Sequence, residues 1–237
     1  MRAGILIIGS LLWDSRCERE AWRRSRLAVD RAVPVKVPIR YGRRSESRGN
    51  TFTMTIGIEG SLGQAVVVPC RTTLADVAAL LAEAEALWQA EQPGARAGKI
   101  SASWGCVGVR FHDEPPPTDW FNAWAERFRA KASPVAPVNH DGLLEIEWPA
   151  VAAAIAVDVI LATATRSDEN LPRPEDIADA WINQDQGHER YFFENVRCGI
   201  RTPEDLLIWK RIEERRPSWL GRNVDAEAVA ILRGEST

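Results

Sequence analysis

The apolar positions of this chain fall into short runs with two periods, and those periods predict strands alternating with helices. Residues 4–8 (Gly4-Ile5-Leu6-Ile7-Ile8) are an unbroken apolar run closed by Gly9-Ser10, the pattern of a buried first strand. Segment 33–39 holds Pro34 and Pro38 and fits an edge strand, where a missing N–H is tolerated. Segment 51–58 alternates residue by residue, which predicts one face in the core and the other polar. Gly60-Ser61-Leu62-Gly63 reads as a hairpin turn into a strand over 64–68. Further strands are expected over 103–111, 143–148 and 157–163.

Helical spacing appears between these strands. Thr73, with Asp76 three residues on, makes a capping box for a helix over 73–92 that ends at Pro93-Gly94. Thr118 opens another, whose Trp120, Phe121, Trp124 and Phe128 form an aromatic stripe suited to the core. Helices follow over 174–183, 187–198 (stopped by Gly199) and 202–215. Thr202-Pro203-Glu204-Asp205 supplies an N-cap, a proline at the first position and acids in the first turn. The pattern predicts an α+β fold in one domain over 1–215 with a helical C-terminal part. Residues 216–237 are expected to form an extension with a short helix.

Composition narrows the function. The chain has 237 residues, 45% hydrophobic and 27% charged, with net charge -3, which excludes a disordered chain and a membrane bundle. It is no globally basic nucleic-acid binder. Four cysteines without C-x-x-C spacing and three histidines without a helical pair argue against a zinc site and for free thiols in a reducing cytoplasm. The apolar N-terminus imitates a signal peptide but lacks an A-x-A site, and Asp14, Arg16 and Glu18 follow at once. Segment 151–164 is too short and, at Asp158, too polar to span a bilayer.

Candidate chemistry starts on the helix over 73–92. Its apolar stripe is Val77, Leu80, Leu81, Ala84, Leu87 and Trp88, and helical geometry puts Glu91 on that stripe. Glu83 and Glu85 fall off its centre, toward water. A carboxylate aimed inward at a helix C-terminus is expected to have a raised pKa, as a general base needs, and to destabilise the fold when ionised. The structural alternative is an ion pair with Arg96 or Lys99. The Gly9-Ser10-Leu11 turn offers backbone N–H groups that can cradle a carboxylate or phosphate. Segment 40–50 is the most basic stretch; Glu46 interrupts it, so it reads as a solvated loop with one functional arginine. His112-Asp113-Glu114 fits a surface loop and His188 a structural role. No G-x-S-x-G elbow or Cys/His nucleophile pattern is present.

In this order the motifs resemble the gamma-glutamylcyclotransferase superfamily, particularly its ChaC-like branch. Ile8-Gly9-Ser10-Leu11-Leu12-Trp13 is similar to that family's Y-G-S-L turn and G-S-L-I-W extension. Ser45-Glu46-Ser47-Arg48-Gly49 resembles its Arg-Gly loop, and Leu87-Trp88-Gln89-Ala90-Glu91 its L-W-x-x-E helix end. Gly187-His188-Glu189-Arg190-Tyr191-Phe192 looks like its G-x-N-x-x-Y-L segment. Two departures stand out: Ile8 replaces the tyrosine of Y-G-S-L, and no tyrosine follows Glu91. With Tyr41 and Tyr191 the only tyrosines, a phenol-lined pocket is expected to be largely missing.

The resemblance implies a mixed sheet or small barrel ringed by helices, and a cofactor-free, metal-free cyclotransferase of the cytoplasm. Such an enzyme releases 5-oxoproline from glutathione or another γ-glutamyl amine, with Glu91 as general acid/base. Gly9, Ser10 and Leu11 would bind the γ-glutamyl part, helped by Arg48. The expected partner is a small molecule, not nucleic acid or membrane. The rival reading is a non-catalytic binder of γ-glutamyl or carboxylate ligands on the same fold.

Overall fold

The apolar run near the start of the chain becomes the middle strand of the main sheet. The computed structural model describes residues 1–46, 49, 51–57, 60–129, 137–150, 155–168, 170–184, 188–220 and 226–234. Its strands are β1 (Arg2–Ile7), β2 (Val33–Val37), β3 (Ile39–Ser45), β4 (Thr51–Ile56), β5 (Gly63–Thr73), β6 (Gly105–Phe111) and β7 (Val159–Thr165). Five of them form an open mixed sheet in the order β2-β5-β1-β7-β6, while β3 and β4 pair as a separate ribbon. The described strands close no barrel. β1 and β7 run parallel, in register from Ala3 opposite Val159 to Leu6 opposite Ala162, and the other pairs are antiparallel. All of β7 is buried, as expected of a strand covered on both faces. Proline-bearing β2 lies at the sheet edge, as its sequence predicts.

The helices are α1 (Cys17–Arg26), α2 (Val77–Glu91), α3 (Thr118–Phe128), α4 (Pro174–Gln184), α5 (His188–Arg197), α6 (Asp205–Arg215) and α7 (Ala226–Arg233). α2 packs on β6, β7, α1 and α3 through the fully buried Leu80, Ala84 and Leu87, with Trp88 almost as deep. Burial of each large apolar side chain contributes roughly 1.5–3 kcal/mol. α4 packs on β4 and α6, and α7 returns onto α5 and α6. The segment after Arg215 thus reaches the core, where Trp219 and Ala228 are buried.

Several local expectations are corrected. α2 starts at Val77 with Asp76 as N-cap, its side chain accepting from the Ala79 N–H at 2.8 Å; Thr73 instead ends β5. Glu83 does not face water: it is buried and takes a 2.7 Å bond from Arg26 of α1. The basic stretch is not a loop, since residues 40–45 belong to β3. Segment 60–63 is no hairpin; it carries the chain from the β3–β4 ribbon to the main sheet. Segment 143–148 makes isolated bridges from Leu143 to Val109 and from Leu144 to Val138 rather than a strand. The alternation of β4 does not separate core from solvent, because all six residues are buried. Its threonines find partners instead: Thr55 meets Ser167 Oγ at 3.0 Å and Thr51 meets the His188 ring.

α6 starts at Asp205 with Glu204, not Thr202, at the N-cap position, and two bonds from Thr202 brace its first residue. The Thr202 N–H donates to Asp205 Oδ2 at 3.0 Å, and its hydroxyl donates to Oδ1 at 2.6 Å. Asp205 is buried, and burial pushes its carboxyl from 3.8 up to about 7 against the pull of those two bonds. Above 3.8 the unfolded chain has lost this proton, while the folded protein keeps it until about pH 7. The folded state therefore holds more protons across that window, and stability falls as pH rises through it. Asp205→Asn removes the titration. Denaturant unfolding from about pH 4 to about pH 8 is expected to show the variant gaining on the parent as pH rises. A difference that stays constant would take Asp205 out of the pH response.

Candidate active site

Beyond β1 the chain leaves the sheet in a tight turn of helical type. The Leu12 N–H donates to Gly9 O at 3.2 Å, and those of Trp13 and Asp14 to Ser10 O at 3.3 and 2.9 Å. The N–H groups of Gly9, Ser10 and Leu11 head this turn with no backbone acceptor among the described residues, like the first amides of any helix. Such a row of amides favours an anion or a developing oxyanion. They sit where β1 ends beside its parallel neighbour β7, at the mouth of a pocket of about 160 Å³.

Arg19 of α1 joins this turn to the end of α2. Its side chain is 6% exposed, and its Nη1 donates to Ser10 Oγ at 2.7 Å and to Asp14 Oδ2 at 3.0 Å. Nε donates to Ala90 O at 3.2 Å, and Nη2 to Glu91 Oε2 at 2.6 Å. The cation thereby satisfies a C-terminal helix carbonyl and offsets the acid beside it. Burial alone would raise the Asp14 carboxyl, but hydrogen bonds from Arg16 and the charges of Arg19 and Arg16 hold it below its ordinary value. Glu91 is therefore not the uncompensated inward carboxylate that the apolar stripe suggests. Its side chain is 20% exposed and lines the pocket, and its partner is Arg19 rather than Arg96 or Lys99. Among the described residues no hydrogen bond reaches its other oxygen, Oε1.

The remaining walls come from the ribbon, from β7 and from α5. Arg43 and Ser45 of β3, Thr53 and Met54 of β4, Thr163 and Thr165 of β7, Trp104 and Tyr191 all line the pocket. The Tyr191 hydroxyl accepts from the Met54 N–H at 3.2 Å. A Cβ added at Gly9 would lie 3.3 Å from the same oxygen, so glycine lets the turn approach the phenol. The pocket does have a phenol, supplied by α5 rather than by the position before Gly9. Among the described residues no cysteine or histidine lines it, and burial pushes the Cys70 and Cys106 thiols elsewhere up to about 12. Among the described residues no group of three His, Cys, Asp or Glu could hold a metal ion.

Of the residues singled out by sequence, Gly9, Ser10, Leu11 and Glu91 come together in one pocket. Arg48 lies outside the described residues. His188 is buried and stacks on Trp181, with ring centroids 6.4 Å apart, as a structural histidine would. Arg19, Arg43, Trp104 and Tyr191 were not expected. Arg19 lies one helical turn before the buried Trp22, a spacing that aims it at the interior. Comparison with protein-family models, with curated proteins and with solved structures gives no match to this chain.

The Arg19 cluster makes a direct prediction. Arg19→Met leaves Asp14 and Glu91 without their shared cation and is expected to cost about 3 kcal/mol in urea unfolding. Arg19→Lys, with no planar fork to span the four acceptors, should recover part of that loss. A loss below about 1 kcal/mol in the Met variant would mark the cluster as a solvated surface pair.

Proposed function

We propose that this pocket is a γ-glutamyl cyclotransferase site, using Glu91 as general acid/base and the amides of Gly9, Ser10 and Leu11 as the γ-glutamyl cradle. The observation that carries the reading is that one guanidinium, Arg19, bonds both Ser10 of the turn and Glu91, so acid and cradle share one pocket. In the proposed reaction the substrate's α-ammonium gives a proton to the carboxylate, and the freed amine attacks the γ-carbonyl carbon. Collapse of the tetrahedral adduct breaks the bond to the leaving nitrogen. The ammonium gives up two protons in all and the leaving nitrogen gains two, so Glu91 ends as it began. The products are 5-oxoproline and a free amine or peptide.

The physics suits these residues. The nucleophile and electrophile belong to one molecule, so a pocket that holds the γ-glutamyl chain curled supplies much of the acceleration. Amides heading a turn stabilise the oxyanion that forms during attack. No step calls on a metal or an organic cofactor. Cytoplasmic location belongs to the same proposal and rests on four free thiols. Among the described residues no helix is long and apolar enough to cross a membrane. A second reading, a non-catalytic binder of γ-glutamyl or carboxylate ligands, is favoured by one observation: Glu91 Oε2 is already engaged by Arg19 at 2.6 Å.

Release of 5-oxoproline from a panel of γ-glutamyl compounds separates the two. Glu91→Gln is expected to lower turnover by about 10² or more, the scale of general-base losses. The ion pair with Arg19 reverses the stability expected from the apolar stripe: the same variant should lose about 1–3 kcal/mol. Near-normal turnover in Glu91→Gln would end the mechanism. Binding of these compounds by the parent with no 5-oxoproline formed would favour the binder. Gly9→Val tests the cradle, since its side chain would crowd the Tyr191 hydroxyl and block approach to the amides. Unchanged ligand affinity in a folded Gly9→Val protein would remove the turn from the site.

A further inference from the structure

We propose that a cleft at the opposite end of β1 from Glu91 binds a second small molecule, one that carries a phosphate group as its dianion. This second site does not depend on the cyclotransferase reading.

The cleft has a volume of about 240 Å³ and lies where β1 and β7 begin, whereas the Gly9-Ser10-Leu11 turn lies where β1 ends. At about 3.3 Å per residue, β1 separates the two by roughly 20 Å. Three arginines from three segments line the cleft: Arg2 at the start of β1, Arg31 in the short helical turn Val29–Arg31, and Arg71 in β5. The β1–β5 register explains how they meet. Arg2 pairs with Thr73 but Gly4 pairs with Pro69, so β5 carries two extra residues there and leaves the β1 ladder over 70–72. Cys70 bridges to Leu27 instead, and the Ala28 N–H donates to Pro69 O at 2.9 Å. Those contacts bring the turn that carries Arg31 alongside the bulge that carries Arg71. The segment entering β7 supplies a further wall, with Ala156 at φ 53°, a left-handed conformation uncommon for a residue with a Cβ.

The charges do not balance within the cleft. Arg2 reaches only Asp158, at 3.8 Å in an exposed pair. Among the described residues no hydrogen bond or ion pair reaches the guanidinium of Arg31 or of Arg71. No acid lines the cleft among those residues, so three cations against the carboxylate of Asp158 leave a surplus of two. In a chain with 33 acidic residues against 30 basic ones, unmatched arginines gathered around one hollow mark a place for an anion. A phosphate dianion supplies that charge, and planar guanidinium groups grip it with paired N–H donors. Thr72 and Thr73 add exposed hydroxyl donors. The buried Ala3, Pro69 and Val157 make the rest of the lining largely apolar. An organic portion of the ligand would cover them, which favours a phosphate monoester over the free ion. Cys70 lines the cleft too, but burial pushes its thiol up to about 12, which suits binding rather than nucleophilic chemistry. The arginines surround a hollow and form no stripe, so nucleic acid is the weaker fit.

Titration calorimetry tests the assignment with two probes of similar shape, phenyl phosphate and the singly charged benzenesulfonate. At about pH 7.5, above the second phosphate pKa of about 6, phenyl phosphate is a dianion. The parent is expected to bind it at least about tenfold more tightly than benzenesulfonate, the scale of a charge-assisted hydrogen bond. Arg31→Gln and Arg71→Gln should each weaken phenyl phosphate binding by about tenfold. Lys36→Gln, which removes an exposed cation of β2 outside the cleft, should leave it unchanged. No saturable binding of phenyl phosphate by the parent, or equal affinity for the two probes, would overturn the proposal without any variant. So would undiminished affinity in folded Arg31→Gln and Arg71→Gln proteins, or an equal loss in Lys36→Gln. Amide NMR locates the probe: shifts are expected at Arg71, Thr72 and Thr73. Shifts gathered at Gly9, Ser10 and Leu11 would place the anion in the other pocket and sink the site. Inorganic phosphate binding as tightly as phenyl phosphate would keep the site and assign it to the free ion. Duplex DNA that binds more tightly than phenyl phosphate, and loses affinity in the same variants, would replace the small molecule with nucleic acid. None of these readouts needs 5-oxoproline to form.

Discussion

One buried guanidinium organises the pocket of this molecule. Arg19 reaches the turn after β1 and the last turn of α2, and four acceptors from the two segments converge on it. Desolvating a charge costs several kcal/mol, and the cost is offset only when hydrogen bonds saturate the group. Arg19 meets that condition with a hydroxyl, two carboxylates and a helix carbonyl. A lysine in its place would bring a point charge without the planar fork that meets acceptors in different directions. The position of Glu91 relative to Ser10 is thus not left to the flexibility of a helix end. It is set by one rigid plane of nitrogens.

The parts of the fold that could be read from sequence were those where burial leaves a simple pattern. β1 is buried in the middle of the sheet and appears as a continuous apolar run, and β2 carries Pro34 because it is an edge. Glu91 was legible because helical spacing carried it onto the apolar stripe, although the stripe could not show that a cation waited there. α1 was missed for the opposite reason. Its ten residues include four arginines and two glutamates, and little of it besides Arg19 and Trp22 is buried. A helix that buries an arginine leaves no apolar period to find. β4 misled because its threonines are polar by composition but satisfied in the interior by Ser167 and His188. The Gly42 bulge hid Arg43 by the same kind of local exception, since an extra residue breaks the period of two.

Tyr191 shows how an absence in sequence can be filled by topology. Ile8 stands where the resembled family has a tyrosine, yet α5 brings a phenol to within contact distance of Gly9 from 182 residues further along the chain. The hydroxyl is anchored by the Met54 N–H, so it joins the first turn to the ribbon at a fixed point. What matters to a ligand is the position of the oxygen, not the strand that carries it. A motif departure next to the glycine therefore says less about the pocket than it does about the route by which the pocket was built.

The end of α2 ties these threads together. Its final residue, Glu91, meets Arg19, and the capping residue after it, Gln92, holds Trp104 and through that ring the face on which Arg43 rests. Adjacent positions thus reach two different walls, which is possible because the helix stops between them. The Gln92 N–H closes the last turn on Trp88 O at 2.8 Å, and Pro93 cannot extend it. Had the helix continued, residue 92 would have been turned about 100° from 91 on a regular cylinder, with its side chain fixed by that geometry. By leaving helical geometry there, the chain frees Gln92 to reach the indole while Glu91 keeps its bond to Arg19. The two arginines are then held in contrasting states by neighbouring residues. Arg19 is saturated with protein acceptors and serves as structure, whereas Arg43 is positioned by an aromatic platform that offers no acceptor oxygen. A cation stacked on a ring in this way is steadied without its donors being consumed by protein acceptors.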